Sequence, residues 1–141
     1  MNTVEEELNK SEYCFFQTVG DSMEPLLHDR RSTVVITKTG KTVRKYDVVL
    51  FRRPTGEYVL HRVWKVRKKD YLICGDNRIY KEPVPADWIL GIMVGFYPDE
   101  SKKFLTCRDK EYQEYMRGLY YRYCIRWIKR FPGRLFKKLV G

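Results

Sequence analysis

Alternation constrains this chain more than any other feature. Between Tyr13 and Phe96 the apolar residues come in short runs of β-branched and aromatic side chains, each closed by turn chemistry. Residues 13–19, 33–37, 46–51, 58–66, 71–74 and 88–96 read as strands. Lys38-Thr39-Gly40-Lys41 and Arg67-Lys68-Lys69-Asp70 are turns, and Arg52-Arg53-Pro54-Thr55-Gly56-Glu57 makes a hairpin connection. Pro83 and Pro85 exclude regular strand or helix from the segment they share. A mainly β domain over residues 13–100 follows, preceded by a polar lead-in over 1–12 that is helical or frayed. With 141 residues, 43% of them apolar, the chain suits one domain with a modest core and an appendage.

In the tail, residues 101–141, the period changes. Tyr112, Tyr115, Met116, Leu119, Tyr120, Tyr123, Trp127, Ile128 and Phe131 recur at three and four, which predicts one helix from about Lys110 to Phe131, ended by Pro132-Gly133. Arg134 to Val140 resumes the pattern. The tail also carries the charge: it holds 12 of the 28 basic residues but 3 of the 18 acidic ones, in a chain of net charge +10. Three uses of this basic amphipathic helix stay open. It can lie on an anionic membrane surface or hold a partner protein, it can dock its apolar face on the β-domain, or, least favoured, it can follow a nucleic-acid backbone.

Gly20-Asp21-Ser22-Met23-Glu24-Pro25 is where chemistry is expected. Read structurally, it is a strand-to-helix turn with Asp21 or Ser22 as a cap. Read chemically, it seats a nucleophilic Ser22, which needs a base within hydrogen-bond reach and a group to orient that base. Of the two histidines, His28 lies in a polar stretch, whereas His61 shares a strand face with Val59 and Val63. That face suits a satisfied core histidine. It equally suits a base, because burial among valines disfavours the imidazolium and keeps the ring able to accept a proton. Arg62 falls on the opposite face as a solvated or structural charge. Asp76, at the end of the 71–74 strand, is the candidate acid to orient His61, and the Ser22 backbone N–H is the first donor to an oxyanion.

Taken together, Gly20–Pro25, Tyr46–Phe51, Val59-Leu60-His61-Arg62-Val63 and Gly75-Asp76-Asn77 resemble, in that order, the boxes of the type I signal peptidases and the related LexA-type self-cleaving repressor peptidases. The likeness spans residues 19 to 96, and His61-Arg62 in the third box resembles the archaeal and endoplasmic-reticulum branch, which pairs serine with histidine. It implies a signal-peptidase type of β-domain, Met23 and Pro25 beside the substrate groove, small substrate side chains near the cut, and Glu82 as an alternative acid. Where many bacterial relatives carry a hydroxyl residue two positions before the nucleophile, this chain has Gly20, which offers only backbone.

The expected activity is a serine endopeptidase that cleaves a leader or precursor peptide through an acyl-enzyme. The alternative is a non-catalytic peptide- or membrane-binding module on the same scaffold, and a DNA-associated regulator ranks below both, since about 20 residues precede Ser22. No run approaches the ~18 apolar residues of a membrane-spanning helix, and Glu5, Glu6 and Glu7 stand where a signal peptide is basic. A cytoplasmic protein, peripheral at most at the inner face of the membrane, is therefore expected. Cys14, Cys74, Cys107 and Cys124 show no Cys-x-x-Cys spacing, so they read as reduced thiols rather than a zinc site, and no cofactor is called for.

Overall fold

In a computed structural model of the chain, residues 3–38, 42–100 and 103–133 are described. The turn expected at 38–41 and the resumed pattern after 134 lie largely or wholly outside them. The lead-in forms a helix, α1 (Val4–Lys10), closed by a capping box in which Thr3 and Glu6 satisfy each other's backbone N–H groups. Eight strands follow: β1 (Tyr13–Gln17), β2 (Thr33–Lys38), β3 (Val48–Arg52), β4 (Tyr58–Val66), β5 (Asp70–Cys74), β6 (Glu82–Pro85), β7 (Ile89–Tyr97) and β8 (Leu105–Thr106). They make one antiparallel sheet in the order β1-β2-β7-β3-β4-β5-β6, with β8 also on β7. The protein is mainly β, as its alternation requires.

Strand β3 shows why both faces of the sheet are covered. Val48 and Leu50 join one apolar cluster with Leu27, Ile36 and Phe96. Val49 and Phe51 point the other way, into a second cluster with Val59, Val63, Ile73 and Val84. All four of these side chains are buried, with only Arg52 at the strand end exposed, the pattern of a central strand packed on both sides. The β3–β4 hairpin turns through Gly56, whose φ of +94° suits glycine, with Arg53 N–H donating to Glu57 C=O at 2.9 Å.

Two expectations are corrected. The 82–85 segment is a strand, pairing Pro83 with Leu72 and Pro85 with Asp70. It tolerates two prolines because it is the edge strand: at a spacing of two, both missing donors fall on the same side, where no neighbour asks for them. The tail helix is broken in two, α2 (Lys110–Arg117) and α3 (Leu119–Arg130), at Gly118. Arg122 folds back there, covering the Tyr115 ring and donating at 2.6 Å to the Tyr115 carbonyl, which also accepts the Gly118 N–H at 3.2 Å.

The tail docks on the β-domain. Tyr112 is buried in the first cluster, Leu119 in a third with Trp64 and Cys74, and the Tyr123 hydroxyl donates to Ile79 C=O at 3.0 Å. Tyr120 and Tyr121 stay 69% and 70% exposed. Among the described residues no helix is long and apolar enough to cross a membrane.

Candidate active site

The Ser22 turn is held from below. Gly20 takes a φ of +93° and donates its N–H to Asp29 Oδ1 at 2.7 Å, Glu24 N–H closes back on Asp21 C=O at 3.1 Å, and Leu27 N–H reaches Met23 C=O at 2.9 Å. That last bond winds 23–27 into a single turn, so Met23 and Leu27 share the inner side and are buried, while Pro25, half a turn away, is exposed. Met23 lines the groove beside Ser22, and Pro25 is outside its lining.

The Gly75–Asn77 turn lies directly against this segment. Asn77 donates its N–H to Ser22 C=O at 2.8 Å and its side-chain amide to Asp21 C=O at 3.1 Å, and Asp76 N–H points at the Met23 sulfur at 3.3 Å. The contact is possible because residue 75 has no side chain. A Cβ there would sit 2.5 Å from Ser22 O and 3.1 Å from His61 Nε2. Those two atoms are therefore within about 5.6 Å of each other, although 39 positions separate the residues in sequence.

His61 comes to this point from β4, opposite Val49 in register and with its ring 6.3 Å from that of Phe51. Burial pushes its pKa down to about 4, outweighing the opposing pull of Glu82. The ring is thus neutral at physiological pH, as its valine-bearing face predicts, and able to accept a proton. Ser22 and His61 line one groove of about 470 Å³, together with Phe16, Leu50 and Leu60. Among the described residues no hydrogen bond joins the hydroxyl to the ring, a contact that in unliganded sites often tightens only with substrate. His28 is occupied elsewhere, its Nδ1 2.6 Å from Glu24 Oε1.

Among the described residues no hydrogen bond joins Asp76 to His61, although its charge reaches the ring. Asp76 is 1% exposed and spends both oxygens on Arg62, which is 0% exposed: Nε donates to Oδ1 at 2.8 Å and Nη2 to Oδ2 at 2.9 Å. Arg62 donates further to Tyr46 C=O and the Tyr112 hydroxyl, both at 2.8 Å, and the Tyr115 hydroxyl donates to Asp76 Oδ2 at 2.7 Å. Arg62 is therefore a structural charge and not a solvated one. A guanidinium cannot shed its proton on burial, so the nearest carboxylate is drawn to it.

Glu82 occupies the position that sequence left as the alternative. It lines a cavity with His61 and is, after burial, the strongest influence on that ring. Arg53 holds it there, Nη2 to Oε1 at 2.5 Å, and also grips Glu57. No hydrogen bond links Glu82 to His61 among the described residues, so the action of this carboxylate on the ring is through space.

Tyr112, Tyr115 and Arg53 escaped the sequence reading. The signal for the tyrosines was present, since an arginine in the middle of a buried strand demands hydroxyls and a carboxylate from elsewhere in the chain. All four cysteines are free, and Cys74, beside the site turn, has its pKa pushed up to about 11 by burial, which leaves its thiol a poor nucleophile. No protein-family model and no curated protein matches this chain, so the reading of the site rests on the geometry and the sequence boxes.

Proposed function

We propose that the chain is a serine endopeptidase of the type I signal-peptidase kind, on its Ser-His branch, which cleaves a leader or precursor peptide through an acyl-enzyme. One observation supports this above the others: the gap at Gly75 packs the Ser22 turn and an uncharged His61 onto the same spot at the edge of a groove. In this reading Ser22 Oγ attacks the scissile carbonyl, and His61 accepts the hydroxyl proton and passes it to the leaving amine. A water activated in the same way then releases the acyl group. The Ser22 N–H, which has no acceptor among the described residues, serves the oxyanion. As His61 becomes charged, Glu82 is the carboxylate whose field favours it, while Asp76 and Arg62 keep the turn in place.

An extended peptide fits between the 17–20 stretch and the start of β4, where it can pair its main chain as an added strand. The family likeness adds small side chains next to the cut, and the cytoplasmic location belongs to the same proposal. Labelling with a fluorophosphonate or a peptide aldehyde tests it: wild type is expected to react, and Ser22→Ala and His61→Gln are not. Labelling that is absent from folded wild type, or that survives in Ser22→Ala, instead supports a non-catalytic binding module.

A further inference from the structure

His61 lines two cavities. One is the groove that Ser22 also lines; the other, of about 790 Å³, is lined as well by Glu82 and the C-terminal half of α3, and is within the size range of ligand sites. Its charged lining is mostly basic, five Arg and Lys side chains to the Glu82 carboxylate. Arg53 and Arg78 line it but are already matched, Arg53 by Glu82 and Glu57, Arg78 by Asp21 at 2.6 Å. Arg126, Lys129 and Arg130 line it as well, at i, i+3 and i+4 on one helix face, and among the described residues no carboxylate pairs with any of them. Arg126 donates Nε to Arg78 C=O at 3.1 Å, while its Nη2 is shut off from water with no hydrogen-bond partner. A buried guanidinium nitrogen without an acceptor is costly, and three unmatched cations around one cavity make an electrostatic site for an anion.

Resting on the peptidase reading, we infer that this cavity receives the residues C-terminal to the cut and selects substrates whose leaving segment is acidic. The direction follows from the chemistry. The base that takes the serine proton must hand it to the leaving amine, so the departing segment passes His61, and the second cavity that His61 lines is where it goes. Aspartate or glutamate one to three residues after the cut would then meet Arg126, Lys129 and Arg130.

Two measurements test this. The first compares kcat/KM on a peptide set cut by wild type, identical except for Asp-Glu or Asn-Gln after the cut, with an expected preference for the acidic member of about 10-fold or more. The second uses the acidic and neutral leaving segments as free peptides, with binding to Ser22→Ala followed by fluorescence anisotropy, so that it needs no turnover. Arg126→Gln/Lys129→Gln/Arg130→Gln is expected to bring both ratios to within about 2-fold of unity; the exposed pair Lys129→Gln/Arg130→Gln covers the case in which the triple variant does not fold. Equal cleavage of both peptides by wild type overturns the acidic preference and leaves the peptidase intact. No cleavage or labelling at all, with the acidic peptide still bound through the three cations, sinks the catalytic reading and keeps the anion site. Preferential binding to phosphatidylglycerol vesicles through the same residues, with neither peptide bound, overturns the inference in favour of a lipid surface.

Discussion

Gly75→Ala is the sharpest perturbation this site offers. The added methyl would lie 2.5 Å from Ser22 O and 3.1 Å from His61 Nε2, whereas ordinary contacts begin near 3.4 Å. The two turns must therefore part by about 0.9 Å on the Ser22 side, pulling against the 2.8 Å bond from Asn77 N–H to the same oxygen. The φ of Gly75 is not positive, so backbone strain does not confuse the result. Overpacking of this kind costs about 1–3 kcal/mol, and the loss of glycine freedom in the unfolded chain returns about 0.4–1 kcal/mol. Stability should thus fall by about 2.6 kcal/mol at most, leaving a folded protein, while a displacement near 1 Å between nucleophile and base is expected to slow Ser22 acylation about 100-fold. Fluorophosphonate labelling rates and thermal melts on the same samples check both halves. If Gly75→Ala labels within about 3-fold of wild type, the proximity of the two turns is not what makes Ser22 reactive.

The two candidate acids should separate cleanly: Asp76→Asn strands the buried Arg62 charge and is expected to cost about 3–5 kcal/mol in denaturant unfolding. Glu82→Gln, removing a partly exposed pair worth at most about 1 kcal/mol, is expected to slow acylation and push the His61 pKa lower still, read by NMR. His61 also sets a pH limit. With its folded pKa near 4 and an ordinary value of 6.5, the unfolded chain takes up the proton first, so stability falls as pH drops from 6.5 to 4, by about 3 kcal/mol at most from this group. The wild-type slope should exceed that of His61→Gln over this window, and acylation should lose its low-pH limb near 4, not near 6.5. Finally, Tyr115→Phe removes the hydroxyl that donates to Asp76 Oδ2 and is expected to cost about 1.5–3 kcal/mol in the melt.

What could be read from sequence was whatever depends on period. Alternation placed six of the eight strands within a residue or two, missing β6 and the two-residue β8, and put His61 on the face of Val59 and Val63 with Arg62 behind it. The edge strand was lost because the proline rule applies to strands with neighbours on both sides, and the edge has only one. Asp76 was assigned to His61 because a local rule, carboxylate at a strand end, was used where a global demand decides. A permanently charged Arg62 in the interior outbids a histidine that can simply stay neutral. The break at Gly118 was visible as a residue, but the apolar face runs on across it, so periodicity alone gave one helix where there are two.

The tyrosines of α2 give the tail a consequence that a boundary near residue 100 hides. The Tyr115 hydroxyl grips the carboxylate of Asp76, whose backbone N–H rests on Met23, the residue next to Ser22, so the last third of the protein acts as a backstop for the first. Trimming the chain at the end of the sheet would remove that brace along with the basic helix. Anything that prised α2 away would loosen the serine's seat without touching it.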